Sequence, residues 1–327
     1  MIPSTTAEIS LRFDSEWSRL LWLNVSLDYN LNENLHFSIL IFLLTITSIA
    51  SSTILKCEFR NDFVWRKYSC DVKELKSDSH SYRITLIQGQ HAKQLSNNDV
   101  KCLRIENIKT IESFTNDFFM KFPNIQNLVI HATSLKFLLR GDFAIADNLV
   151  NIHITHTDLA DLEDNVFHGT KVVKTLNLRE NKIREIAENA FKGLVTLKFL
   201  TLSFNEIESL HGNVFKDLNF LEQLSLSTNR IRHIDENLLS KNRNLETIFL
   251  DHNRISAING NMFASNTKLR EVYMDNNHIK HISNIPNFLT NLKNLEVAVF
   301  ANNTCVDSMI LIMDKFYPPF ESLFAKC

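Results

Sequence analysis

Between Val173 and Met274 the apolar residues return every twenty-four positions. Counted from the first aliphatic residue of a line, positions 1, 4, 6, 11 and 14 are aliphatic, as in Leu197, Leu200, Leu202, Ile207 and Leu210. Position 9 is Asn (Asn181, Asn205, Asn229, Asn253), and position 19 is a large apolar residue (Phe191, Phe215, Leu239, Phe263). A fixed period of this length marks a solenoid. Positions 3 to 7 alternate with the period of a strand. Stacked lines then place these strands side by side in a parallel sheet, and inward aliphatic side chains from neighbouring turns form one continuous core. An Asn at a turn can both donate to and accept from backbone groups that lack ladder partners. The Phe fills the wider, convex half of each coil. A set of amphipathic helices is the competing reading, but aliphatic spacings of three then two, with Asn at a fixed place, fit helices poorly.

Six successive steps begin at Ile125, Leu149, Val173, Leu197, Leu221 and Leu245 and end at Leu269. The coils from Ile125 and Leu149 carry Thr133 and Thr157 in place of Asn. Thr satisfies fewer backbone groups, so this end is expected to be the less regular part of the ladder. An irregular first coil starts near Val100, with Leu103, Ile105 and Phe118. The coil from Leu269 is two residues longer and keeps Val272, Met274, Asn277, Ile279 and Phe288. The last strand is expected over Leu295 to Phe300, with Asn303 in the ladder position.

The chain then divides into residues 1–36, 37–55, 57–99, 100–304 and 305–327. Residues 1–36 lie outside the repeat, hold scattered apolar residues and an acidic run, and are expected to be disordered. Phe37–Leu55 contains no charge. As a secretory signal its apolar core is Ile39–Ile49, with Ala50-Ser51-Ser52 supplying small residues for cleavage. As a signal anchor it just reaches spanning length. The long acidic segment before it and the positive charges after it (Lys56, Arg60, Arg66, Lys67) are unusual for either, and both readings place the repeats outside the cytosol. Cys57–Val72 alternates around an Asn-Asp turn, which predicts a hairpin capping the first coil. Tyr82–Ile87 reads as a further strand covering that coil. After Cys305, the segment from Val306 has helical apolar spacing (Val306, Ile310, Met313) and ends at Pro318-Pro319.

The five cysteines are Cys57, Cys70, Cys102, Cys305 and Cys327. Cys57 with Cys70 and Cys305 with Cys327 are the expected disulfides, because both pairs sit at chain ends whose core needs covering. Cys102 is left over. It is read as a partly buried free thiol in an edge coil, as an intermolecular bridge to a partner, or as a cysteine that pairs within the first cap and frees Cys57 or Cys70.

Charge adds little. Thirty-five basic and thirty-seven acidic side chains nearly balance, and no basic stripe marks a nucleic-acid footprint. The chain has no Gly-rich phosphate loop, nucleophile elbow or HExxH, and no cofactor or metal is expected. His153 and His156 lie close together on one strand, but two histidines without a nearby carboxylate or cysteine partner make a weak metal signal. Asp251, His252 and Asp275 make a polar patch with no nucleophile beside it.

What the register offers instead is a sheet with outward side chains at positions 2, 3, 5, 7 and 8. Its middle is small and polar, and against it Phe199, Phe204, Phe249 and Tyr273 stand out. Aromatic anchors in a polar surround supply much of the energy of protein interfaces. A protein partner is therefore expected on the concave face, using Phe199, Phe204, Phe249, Tyr273, Arg179, Asp251, His252 and Asp275. The alternative for Phe199 and Phe249 is that they only cover neighbouring side chains. A glycan acceptor sequence, Asn302-Asn303-Thr304, lies at the rim of the last coil; another, Asn24-Val25-Ser26, precedes the apolar run.

The pattern LxxLxLxxNxI, the cap spacing and the short Cys305–Cys327 ending resemble extracellular leucine-rich repeat proteins of the 24-residue type. Secreted insect members, including the leucine-rich immune proteins of mosquitoes, are similar, as are Toll-type ectodomains. The resemblance covers about residues 57–327. It implies an α/β solenoid, a horseshoe with a parallel sheet on its concave face, an irregular or short-helical convex side and disulfide-tied caps. It also implies non-catalytic extracellular recognition, in defence or in cell-surface contact. The chain lacks the coiled-coil tail of the longer immune proteins, so dimerisation through such a tail is not expected. Two further roles stay open: an adhesion or receptor-like module anchored by Phe37–Leu55, and a regulatory subunit of an extracellular enzyme.

Overall fold

The structure is a computed structural model that describes residues 52–62, 64–76, 83–291, 294–306, 309–311 and 327. Residues 1–36 and most of the apolar run lie outside the described residues. The part from Ala50 to Cys327 is one compact unit.

Its frame is a thirteen-stranded sheet. The cap supplies β1 (Ser52–Asn61), β2 (Tyr68–Lys76) and β3 (Arg83–Gln88). The coils supply β4 (Cys102–Glu106), β5 (Asn127–His131), β6 (Asn151–Thr155), β7 (Thr175–Asn177), β8 (Phe199–Thr201), β9 (Gln223–Ser225), β10 (Thr247–Phe249), β11 (Glu271–Tyr273) and β12 (Val297–Val299). The C-terminal end supplies β13 (Met309–Leu311). From β2 to β12 every pairing is parallel, and through the regular coils the register advances by one coil, so Leu200 faces Leu176 on one side and Leu224 on the other. The repeat predicted this arrangement.

The convex side is mostly turns, with short helices α1 (Asp117–Lys121) and α2 (Ile285–Asn291). The two extra residues of the coil from Leu269 fall in the stretch that holds α2. The position-19 rings stack from coil to coil: Phe143 to Phe167 at 5.6 Å, Phe167 to Phe191 at 6.2 Å, Phe191 to Phe215 at 5.8 Å, with Phe263 to Phe288 at 6.1 Å. Leu239 interrupts the series. All these side chains are fully buried in one continuous core, where large side chains contribute most of the hydrophobic stabilisation.

The position-9 asparagines bond to the backbone as their chemistry predicts. Asn205 Nδ2 donates to the carbonyls of Leu178 and Leu202, and its Oδ1 accepts from the N–H of Ile183. Asn229, Asn253, Asn277 and Asn303 repeat the pattern. The Thr end answers differently. Thr133 and Thr157 cannot donate to two carbonyls, so the position-6 carbonyl of Ile130 stays available to the sheet. Pairing of β5 with β6 accordingly runs five residues, whereas β6 pairs with β7 over three. The side-chain ladder starts at Asn181, and before it a longer backbone ladder takes over.

A second feature recurs at position 8. Ala132, His156, Glu180, Phe204, Thr228, His252, Asn276 and Asn302 all have φ between 53° and 58°. This left-handed turn aims a backbone N–H at the next coil: Phe204 donates to Ser227 and Thr228 to Asp251. Non-glycine residues there carry a conformational cost of about 1–3 kcal/mol, which the stacked neighbours must hold.

Both expected disulfides are present, Cys57–Cys70 and Cys305–Cys327. The hairpin is present as β1 and β2, but it starts at Ser52, five residues before Cys57. Ser52–Leu55, the end of the apolar run, lies within β1, and Leu55 is buried in the core. The strand expected over Tyr82–Ile87 occurs as β3, yet it sits outermost, beyond β1. It is β2 that pairs with β4 and covers the first coil in the sheet. β3 reaches that coil through its backbone, the N–H of Ile84 donating to buried Asp117 at 2.7 Å.

Two expectations are corrected. The helical reading from Val306 fails over Met309–Leu311, which is β13, antiparallel to β12. The last coil leaves a row of unpaired backbone groups, and a returning strand satisfies them where a helix would not; residues 312–326 lie outside the described residues. Cys102 is free but fully buried. Burial pushes its thiol up to about 12, with the charge of Asp62 adding. A bridge from it to a partner would require the first coil to open, and Cys57 and Cys70 are paired with each other.

Candidate functional site

Positions 3, 5, 7 and 8 of consecutive coils lie side by side on the sheet. Small hydroxyl side chains fill the middle: Ser203, Ser225 and Ser227. Ser203 and Ser225 bond to each other at 2.5 Å. Because these side chains are short, they leave a hollow of about 570 Å³ between larger neighbours. It is lined by Arg179, Phe204, Phe249, Asp251, His252, Tyr273 and Asp275 together with the serines and Thr228. Seven of the eight residues expected from the sequence thus surround one hollow. Phe199 does not; it is 40% exposed in β8, outside this lining.

The two ends of the hollow differ. At one end the Arg179 guanidinium lies over the Phe204 ring, 4.1 Å from its centroid, and Nε donates to Glu180 at 2.8 Å. That hydrogen bond, with the nearby His156, holds the Glu180 carboxyl below its usual range. Arg179 is therefore already compensated. At the other end Phe249 and Tyr273, paired in register, stack at 4.7 Å with planes 13° apart. Burial, with Glu271 adjacent, raises the Tyr273 phenol above its ordinary value.

Asp251 and Asp275 follow two residues after these rings on adjacent coils. Asp251 accepts from the Ser227 hydroxyl at 2.6 Å and is bonded to His252 Nδ1 at 3.0 Å. Asp275 accepts from the Asn276 amide at 2.5 Å. The Ser227 hydroxyl is turned to the carboxylate and not to the imidazole, so these three side chains form no serine–histidine nucleophile.

Towards the N-terminal end a polar row joins the hollow to the cap. His156 pairs with Glu180. The His131 and His156 rings meet edge to face at 4.6 Å, and His131 Nδ1 is 2.9 Å from the Thr155 hydroxyl. The turn between β1 and β2 bends over this end. Asp62 caps it, accepting from the N–H groups of Val64 and Trp65, and Arg104 donates to Asp62 at 3.1 Å. Trp65 lies 5.7 Å from the His153 ring. Burial, with Arg104 adding, lowers the His153 imidazole below its ordinary value. His153 and His156 therefore face different neighbours, and the carboxylate partner of His156 comes from the next coil, twenty-four residues on. Among the described residues no group of three or more His, Cys, Asp and Glu side chains is placed to hold a metal ion.

The sequence marked the rings, the charges and a small, polar middle, but not the hollow that its serines leave, and it set His156 beside His153 and not beside Glu180 and His131. The signal was available: small residues at positions 5 and 7 beside aromatic ones, and charges at position 8 one period apart.

The model for leucine rich repeat matches residues 147–207, 197–255 and 221–279. The coils over these residues are leucine-rich repeats. Solved structures of such repeats overlay on the chain. One is from the TLR13–ssRNA13 complex, at 21% identity and a TM-score of 0.60, covering 68% of this chain and 32% of that one. Another belongs to the octameric complex of Latrophilin 3, Unc5D and FLRT2, at 19% identity and a TM-score of 0.55, covering 69% of each chain. The chain thus spans about a third of the length of the TLR13 chain it matches. These likenesses establish the fold. No curated protein matches the sequence, and no enzyme family is indicated.

Proposed function

We propose that the chain is a secreted, non-catalytic binding protein that takes a protein ligand on the concave face of its repeats, as in extracellular recognition of the innate-immune kind. The observation that carries this reading is the hollow: seven side chains drawn from four coils converge on it, with aromatic anchors at both ends and hydroxyls between. Phe204 stays 41% exposed although the chain has a large core to bury it in. Exposed aromatics around a polar floor are the composition of interface centres.

Two observations support an extracellular site of action. Paired disulfides tie both caps, which fits an oxidising compartment. And since β1 takes Ser52–Leu55, only the fifteen residues Phe37–Ser51 of the apolar run remain. A spanning helix needs about 20 residues, whereas an apolar signal core needs about 7–15. Cleavage near Ser51 leaves β1 whole. This favours a cleaved signal over an anchor. A glycan on Asn302 would keep partners off the C-terminal end of the repeats. Membership of an insect immune group rests on the sequence resemblance alone.

The test is to replace Phe204 with the photocrosslinker p-benzoylphenylalanine in the full chain, with the same residue at Ser265 on the convex side as control. Irradiation in the extracellular fluid of the source organism should join a discrete protein to position 204 and not to position 265. The same product from both positions, or from 265 alone, would move the site off the concave face.

A further inference from the structure

The hollow also carries information about what enters it. We infer that its Phe249–Tyr273 end receives a cationic side chain, a guanidinium or ammonium group, of the bound protein. This rests on the concave-face reading and adds the chemistry of the anchor to it.

Three independent features of the hollow agree. First, there is a cavity beside the ring pair, and its floor of Ser203, Ser225 and Ser227 is too short to occupy it. Second, Phe249 and Tyr273 stack face to face. One face of Phe249 is spent on Tyr273, while on the other side its neighbour in register is Ser225, which leaves that face to the hollow. A ring face beside a cavity attracts a cation through its quadrupole. Third, Asp251 and Asp275 stand on adjacent coils at the same rim. Asp275 is in no ion pair among the described residues, and Asp251 is bonded to Ser227 and to His252. Two carboxylates at the same position of adjacent coils suit the several N–H donors of a guanidinium.

The opposite end shows the same chemistry satisfied internally. There Arg179 lies on Phe204 and is held by Glu180. Ring, carboxylate and cation are all supplied by the chain at that end. At the Phe249–Tyr273 end the rings and carboxylates are present, and a partner supplies the cation. An anionic group at this end would meet Asp251 and Asp275, so the hollow selects charge by sign as well as by shape.

The experiment titrates the full chain with N-acetylargininamide and, separately, with its neutral isostere N-acetylcitrullinamide, following the ring signals of Phe249 and Tyr273 by NMR. The expected result is saturable movement of both ring signals with arginine, at least about tenfold tighter than with citrulline. That advantage should disappear in D251N/D275N, a pair of half-buried positions outside the apolar core at which Asn keeps an acceptor oxygen. Equal affinity for the two probes, an arginine preference that survives D251N/D275N, or no ring shifts with arginine would overturn the inference. Each of those results leaves the photocrosslink at position 204 free to succeed, so failure of the cation site and failure of the concave face are told apart.

Discussion

Asn229 Nδ2 donates to the backbone carbonyl of Leu202, a residue 27 positions earlier in the preceding coil. The same amide donates to Leu226 in its own coil, and its oxygen accepts from Ile207. One buried side chain thus satisfies three backbone groups in two coils, and the chain repeats the device five times more. Asn229→Ala should strand those groups. At about 1–3 kcal/mol for a buried group left unbonded, the loss is expected to be on the order of 3 kcal/mol. Asn229→Thr should cost less, because Thr157 occupies the same place and bonds to Asn181. Denaturant midpoints of the three proteins check both statements, and equal stability of Asn229→Ala and the parent would refute them.

Thr228 is the β-branched residue in the left-handed column, at φ 55°. Branching at Cβ makes this conformation especially unfavourable, whereas Asn tolerates it and already occupies the column at Asn276 and Asn302. Thr228→Asn should raise stability by about 0.5–1 kcal/mol. A calorimetric Tm at or below that of the parent would mean that the turn is not strained as described.

Asp142 is buried, and its carboxyl accepts from the N–H of Leu139 at 2.7 Å. Burial pushes its carboxyl from 3.8 up to about 7. The folded chain then holds a proton that the unfolded chain releases between those values. Stability from this group is greatest below about pH 4, falls as pH rises to about 7, and is level above it. Asp142→Asn keeps an acceptor for Leu139 and removes the titration. Its stability relative to the parent should therefore grow between pH 4 and pH 8, by an amount on the order of a few kcal/mol. A difference that does not change with pH would contradict the burial argument.

The Cys102 thiol is buried and driven up to about 12, so it should be inert in the folded state. Iodoacetamide is expected to modify the chain once, and only at the rate of unfolding. Fast labelling in native buffer, or a disulfide-linked dimer on a non-reducing gel, would restore the intermolecular bridge.

Much of this fold was legible because the repeat is redundant. Seven consecutive lines say the same thing, so the strand register, the Phe stack and the Asn ladder could each be read several times over. Where a feature occurs once, sequence reasoning weakened. Met309–Leu311 is apolar enough for either a helix or a strand, and only the open edge of β12 decides between them. The end of the apolar run looks continuous in sequence, yet Leu55 belongs to the core of the cap. The aromatic and charged members of the site were legible from their columns. The hollow was not, because it arises from what Ser203, Ser225 and Ser227 leave empty. Nor were Asn242 and Asn266, whose buried amides donate to carbonyls of the preceding coil on the convex side, at a position where the two coils before them have Leu194 and Leu218.

The central claim is that ligands enter the concave hollow. The most direct measurement uses the protein captured by the photocrosslink and compares its Kd for two glycosylated variants made in secreting cells. S225N places an acceptor sequence ahead of Leu226 and Ser227 on the floor of the hollow, and S265N places one ahead of Asn266 and Thr267 on the convex side. With both sites shown by mass to carry glycan, the account predicts that S225N abolishes binding and S265N leaves Kd unchanged. Undiminished binding by glycosylated S225N would contradict it.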